Sequence, residues 1–373
     1  MTTHWPDITG ADRGFNVESD VLSSTIDGVN LNQLWSELVD AQKIWNSTKS
    51  NVSSLFTFNT TAIGDSIEPT GSASDFEIQS EFGEPKSIRP NLQKLDIGYD
   101  FEWWDTAVRY TRRFLLNSSA EQVRAVHQSA LNADDQLLFR EIMRAISTPL
   151  ITSGRPTNPE GIGLYSVFAG TGDVKPPTYL GHEFSTSHSH FLVSGAATVD
   201  GGDLRDLIKT IQEHGYGIPG SGERVVIFVH PDQGELIRGL RVADGDPFDF
   251  IPSSNAPAFL TSETVQGATP PDEYNGLAIF GSYGDAWLTE SYLIPTGYVF
   301  ALSTGGNGSE RNPLGFREHP QAGSRGLVIV PGTERFPLVG AAYMRGFGLG
   351  VRNRGAAAVM QIKASGNYQA PTF

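Results

Sequence analysis

The chain has 373 residues, of which 39% are hydrophobic and 18% charged, a balance of ordinary globular proteins rather than disordered or membrane ones, with enough apolar surface for a core. It contains no cysteine, which excludes disulfides, thiolate nucleophiles and zinc-thiolate sites. A formal charge of −15, with seven lysines, argues against a sequence-tolerant phosphate binder, because such binding needs clustered Lys and Arg to displace counterions.

Two or more lobes are expected at this length. Residues Met1 to Asn16 lack the basic and apolar regions of a signal peptide, so the five Asn-x-Ser/Thr sequons (Asn46, Asn51, Asn59, Asn117, Asn307) read as chance matches. Apolar runs such as Val225 to Val229 have strand length, far below the ~18 residues of a membrane span, and no membrane partner is expected.

In chain order, residues 1 to 25 are polar and cannot build a core, so they read as an arm. An amphipathic helix follows from about Asn30, with Leu31, Leu34, Trp35, Leu38, Gln42 and Trp45 on one face. From Ser53 to Tyr99 the pattern thins into Thr, Gly, Pro and Ser with weak alternation, the signature of a long open hairpin. So long a stretch without an apolar pattern needs another surface to pack on, and a second subunit is the obvious one.

The longest helix is expected from Ser119 to Thr148, with Ser119 and Gln122 at capping-box spacing, a stripe from Val123 to Ile146, and Pro149 as the stop. Residues 150 to 197 read as irregular connection. A second lobe opens with a helix containing Leu204, Leu207, Ile208 and Ile211 and ending at Gly215. A buried strand, Arg224 to Val229, then leads through Pro231 into another helix. Further strands are expected at Leu277 to Phe280, Tyr298 to Leu302, Leu327 to Val330, Phe347 to Val351 and Ala357 to Lys363. In Gly346 to Val351 the apolar residues and the glycines alternate, so one face packs and the other admits close approach. The fold class is α+β.

Few residues carry chemistry. Gly215-Tyr216-Gly217-Ile218-Pro219-Gly220 matches a dinucleotide fingerprint, but it follows a helix and precedes a strand, the reverse of what phosphate binding requires, and reads as a helix stop and turn. His182, Glu183, His188 and His190 are the best metal candidates, and His188 and His190 share a strand face. With no HExxH helix and no further ligand or base assigned by sequence, hydrogen-bonded loop histidines are the expectation, and neither metal nor cofactor is assigned. Arg109, Arg112 and Arg113 form a basic stripe that reads as a solvated or subunit-contacting face, and Asp134 and Asp135 read as a solvated helix face. Nucleophile-elbow and P-loop motifs are absent. No catalytic residue is expected, and the chain is not expected to be an enzyme.

The order arm, helix, extended two-stranded loop, long helix, α/β lobe and returning strands resembles the major capsid proteins of tailed bacteriophages, a fold shared with encapsulins. Ser187-His188-Ser189-His190-Phe191 running into Ser194-Gly195-Ala196-Ala197, the helix Asp203 to Tyr216 before Val225 to Val229, and the tail Gly346 to Lys363 are similar to actinobacteriophage capsid proteins. The resemblance implies an N-terminal arm and helix (1–52), an extended loop (53–99), a peripheral domain with a spine helix (100–197), an axial domain (198–325) and returning peripheral strands (326–373).

It further implies pentamers and hexamers in an icosahedral virion shell, assembled in host cytoplasm around double-stranded DNA held without sequence-specific contacts. The expected partners are a portal, a separate scaffolding protein and a decoration protein. Many relatives carry a cleaved scaffolding segment, a long charged helix, ahead of the arm; none is expected here, so scaffolding is expected in trans or not at all. Candidate subunit-interface residues are Trp35, Trp45, Phe76, Ile78, Phe82, Lys86 and Arg89. Lys86 and Lys94 lie in the loop where some relatives cross-link, but nothing marks a partner, and solvated lysines are the expectation. Two other readings stand beside this one: an encapsulin-type nanocompartment shell, and a metal-dependent hydrolase using the His182 to His190 cluster.

Overall fold

Side-chain caps set the ends of the main helices. Ser119 Oγ accepts from the Gln122 amide at 3.4 Å, and Gln122 Oε1 accepts from the Ser119 amide at 3.0 Å. This reciprocal capping box opens the long helix one residue later than its cap. Asp200 and Asp203 form a second box at the next helix, and Pro231 occupies the first turn of the one after it.

The protein is described by a computed structural model over residues 24–67, 78–79, 81, 83, 94–254, 269–331 and 340–373. Helix α1 (Leu31–Ser53) is followed by β1 (Thr57–Thr60), β2 (Gly64–Ile67), β3 (Leu95–Gly98), β4 (Glu102–Arg109), α2 (Arg112–Asn117) and α3 (Ala120–Ser147). Then come β5 (Phe191–Val193), α4 (Gly201–Gln212), β6 (Arg224–Val229), α5 (Pro231–Ile237) and β7 (Phe250–Pro252). Strands β8 (Glu273–Tyr274), β9 (Leu277–Ala278), β10 (Gly281–Tyr283), β11 (Ala286–Glu290), β12 (Tyr298–Thr304), β13 (Leu314–Glu318), β14 (Leu327–Pro331), β15 (Gly340–Val351) and β16 (Ala357–Gln361) complete the chain. With 28 residues, α3 is about 42 Å long.

The described residues divide into two compact units, one within Met1–Trp45, Asp105–Asn132 and Ile329–Met344, the other within Asn46–Trp104, Ala133–Val328 and Arg345–Phe373. In the first, Leu31, Leu34 and Leu38 of α1 pack with Tyr110, Leu115, Ala120 and Val123, and Trp35 lies against this cluster. The Asp27 carboxylate accepts from the Ala120 amide at 3.1 Å, a further cap on α3.

The second unit is built on a seven-stranded sheet in the order β5-β16-β12-β6-β11-β10-β7. Its central strands are buried on both faces, which is why their sequences are unbroken apolar runs. Val225, Ile227 and Val229 of β6 enter one core with Leu204, Leu207 and Ile211 of α4. Val226 and Phe228 enter the opposite core with Phe56 and with Ile142, Met143 and Ile146 of α3.

A five-stranded sheet runs β1-β13-β15-β14, with β4 also paired to β15. Residues Thr57–Thr60 pair in parallel with β13, so the open hairpin expected from Ser53 does not begin there; among the described residues β2 pairs with β3, Gly64 opposite Gly98 through Ile67 opposite Leu95. The glycine face of β15 is used for close approach. A Cβ on Gly350 would sit 2.6 Å from the Gly98 carbonyl, one on Gly346 2.6 Å from the Trp103 ring, and one on Gly348 would overlap the Asp100 carbonyl.

Asp134 is not on a solvated face. It is buried in an ion pair with Arg345, and Asp135 is half-buried. The helix stripe alone could not reveal this, because the cation lies 211 positions away.

Candidate functional site: assembly surfaces and a histidine cluster

Of the residues expected at subunit interfaces, Trp35 packs on the α1 core and Trp45 is half-buried. Ile78 is 96% exposed within its own chain. Phe76, Phe82, Lys86 and Arg89 lie outside the described residues. Lys94 is exposed, as are Arg109 and Arg113 of the basic stripe.

Further large apolar side chains are exposed in the second lobe. Leu236 of α5, Val242 and Phe248 beyond it, and Tyr292 and Leu293 after β11 are all open to solvent. Sequence periodicity could not single them out, since an exposed apolar residue on a short helix or loop carries the same letters as a buried one. Tyr292 stands edge-on to His230, the N-cap of α5, with ring centres 5.7 Å apart. Arg238 pairs with Glu290 at 2.8 Å.

The histidine candidates divide. His188 and His190 lie on the extended segment leading into β5. There the Ser189 backbone bridges Ala169, and the His190 amide donates to the Phe168 carbonyl at 2.8 Å. Both imidazoles turn the same way and meet His214, a residue the sequence reading did not include, which sits where α4 unwinds into Gly215 at φ +80°. The three Nε2 atoms form a near-equilateral triangle: 3.2 Å between His188 and His190, 3.0 Å between His188 and His214, and 3.0 Å between His190 and His214. His182 and Glu183, the other two members of the expected set, lie outside it. His182 packs edge-on to Phe184, and the exposed Glu183 carboxylate is 3.9 Å from Lys175.

Packing fixes the rings. His214 is stacked on Phe184 with ring centres 4.1 Å apart and on Phe168 at 5.3 Å. Gly355 passes so close that a Cβ there would lie 2.7 Å from His214 Cβ. His190 Nδ1 is 2.7 Å from the Ala357 carbonyl, which only accepts, so this nitrogen carries the hydrogen and Nε2 is left with its lone pair.

Burial lowers the pKa of all three imidazoles. Burial pushes His190 well below the ordinary histidine value, with His214, His188 and Arg354 adding to it against the Ala357 hydrogen bond. Burial, then His188 and His182, bring His214 down to about 3. His188 is lowered by burial and His182, while Glu213 opposes. Nearby, the buried carboxylate of Asp173 accepts from Arg155 at 3.0 Å and pairs with Arg354, which ties this connection to the turn before β16.

No described helix is long and apolar enough to cross a membrane. No family model matches the chain, and neither does any curated protein. Among solved structures, one from Mycobacterium phage Patience matches 98% of this chain and 97% of its own, at 33% identity and a TM-score of 0.69. One from Gordonia phage Cozz matches 84% and 87% at 14% identity and a TM-score of 0.46. An encapsulin complex from Synechococcus elongatus matches 88% and 92% at 14% identity and a TM-score of 0.44. Given the end-to-end likeness to the first of these, together with the order helix, two-stranded arm, long helix, α/β lobe and returning strands, the chain belongs to the major capsid protein family of tailed bacteriophages, shell proteins of the virion that associate with copies of themselves.

Proposed function

We propose that this protein assembles as pentamers and hexamers into the icosahedral head of a tailed phage and encloses double-stranded DNA without reading its sequence. The full-length likeness to the structure from Mycobacterium phage Patience carries this reading. Residues 1–52 act as arm and helix, 53–99 as the loop laid on a neighbour, 100–197 and 326–373 as the peripheral domain, and 198–325 as the axial domain. The role is structural, with no catalytic step. Assembly takes place in host cytoplasm with a portal, a separate scaffolding protein and a decoration protein.

Three features support the reading. Ile78 lies between β2 and β3, which among the described residues are joined by four residue pairs, and a two-stranded ribbon is marginal in water by itself. A neighbouring subunit supplies the missing surface for it and for Phe76, Phe82, Lys86 and Arg89, while Trp35 and Trp45 brace the arm helix. The exposed group Leu236, Phe248, Tyr292 and Leu293 gives the axial domain an apolar contact of its own. The net charge of −15 suits a wall that must not grip packed DNA.

Electron microscopy and sedimentation of the protein from virion material test this. Closed particles of megadalton mass with five-fold vertices are expected. A folded monomer or dimer as the sole species in mature particles would overturn it.

A further inference from the structure

Three imidazole nitrogens at mutual distances of 3.0 to 3.2 Å pose a problem that hydrogen bonding cannot solve. A neutral imidazole carries one ring hydrogen, and that of His190 is committed to the Ala357 carbonyl on Nδ1. If His188 or His214 alone is protonated at Nε2, one edge of the triangle pairs two lone pairs. If both are, their hydrogens face each other. No choice of tautomers satisfies all three edges. Adding a proton does not help, because each of the three Nε2 atoms either carries a hydrogen or does not, so two of them always match and one edge stays unsatisfied.

A cation capping the triangle satisfies all three lone pairs together. In a tetrahedral shell with metal-nitrogen bonds of about 2.0–2.1 Å, neighbouring nitrogens lie roughly 3.3 Å apart. The observed edges are within a few tenths of an ångström of that. We propose that His188, His190 and His214 bind a divalent transition metal of the zinc class through their Nε2 atoms, as a structural clip between the segment entering β5 and the end of α4.

Three further features fit a metal site. The Ala357 carbonyl fixes the His190 tautomer from behind, as outer-shell acceptors do at metal sites. The C-terminal end of a 12-residue helix presents the negative end of its dipole to a cation beside His214. A cleft lined by Phe168, Tyr179, His214, Tyr216, Arg354 and Gly355 reaches His214.

Among the described residues, no carboxylate joins the three nitrogens as a ligand. The chain supplies three ligands and leaves the fourth position to water. The clip spans the chain between residues 190 and 214, so it stabilises by cross-linking elements that the backbone joins only through α4.

The test uses intact particles and the dissociated subunit. Each is equilibrated with zinc chloride, passed through a desalting column, and assayed for metal by mass spectrometry. Retention of about one zinc per chain is expected, falling about tenfold or more in His188→Gln. His188 is half-buried at the rim, so this variant keeps the packed rings of His190 and His214 in place. Cobalt(II) in place of zinc is expected to give the visible absorption of a four-coordinate nitrogen site in the wild type and not in His188→Gln. Adding a chelator should lower the melting temperature of the wild type and leave that of His188→Gln unchanged. Wild-type particles that assemble normally but retain less than about a tenth of an equivalent of zinc, with a melting temperature indifferent to chelator, would overturn the site and leave the capsid reading intact.

Discussion

Arg345 on β15 clamps Asp134 on α3 with its guanidinium fork: Nη2 lies 2.8 Å from Oδ2 and Nε faces Oδ1, with the side chains 7% and 2% exposed. The pair fixes the long helix to the returning strand at one register, since a planar fork accepts a carboxylate in few orientations. Removing one partner leaves the other charge buried without its counter-ion. Asp134→Ala is therefore expected to cost about 3–5 kcal/mol, while the double change Asp134→Leu with Arg345→Met should recover most of the loss. Urea denaturation of the dissociated subunit measures both. Equal losses in the single and double variants would show that packing, not charge, holds the contact.

The glycine face of β15 yields a second prediction. Gly348 lies opposite Arg317 in the sheet, and the Asp100 backbone crosses directly over it, where no Cβ fits. Gly348→Ala should destabilise by about 1–3 kcal/mol or more through overpacking. Gly323, which has nothing within 4 Å of a built Cβ and no positive φ, serves as the control. Gly323→Ala should stay within about 0.5 kcal/mol of wild type. Comparable losses at both positions would contradict the close approach.

If residues 53–99 act as the proposed loop, Ile78→Ser should leave the dissociated subunit's melting temperature unchanged, because the side chain is 96% exposed within its own chain. In shells the same change should lower stability, since burying such a side chain contributes about 1.5–3 kcal/mol at each copy. Amide exchange across residues 64–98 should be fast in subunits and slow in particles. Equal protection in both would place the arm on its own chain.

His127 predicts how stability responds to acid. Its Nδ1 is 2.7 Å from the Tyr343 hydroxyl, its Nε2 is buried without a partner among the described residues, and burial lowers its pKa. Below the ordinary histidine value of about 6.5 the unfolded chain binds a proton that the folded chain resists, so stability is full above that pH and falls as pH drops through it. His127→Asn cannot titrate, so its melting temperature should fall less between pH 7 and pH 5 than that of the wild type. Parallel pH profiles would assign the acid sensitivity to other groups.

Near neighbours in the chain were enough to determine the long helix with its Ser119–Gln122 cap, the α4 helix, the doubly buried β6 run, the Pro231 helix start and the glycine alternation of β15. These signals are local, because cap spacing, proline at a first turn and side-chain periodicity act within a few residues. The pairing of Asp134 with Arg345, the parallel docking of Thr57–Thr60 on β13, and the meeting of His214 with His188 and His190 depend on tertiary structure. His214 follows α4 with no local mark that sets it apart from any helix-end histidine, and the fold carries it to a segment that precedes the helix. Chemistry made by residues far apart in sequence leaves no period to read. The burial that sets their charge and the distances that set their ligands exist only after the chain has closed.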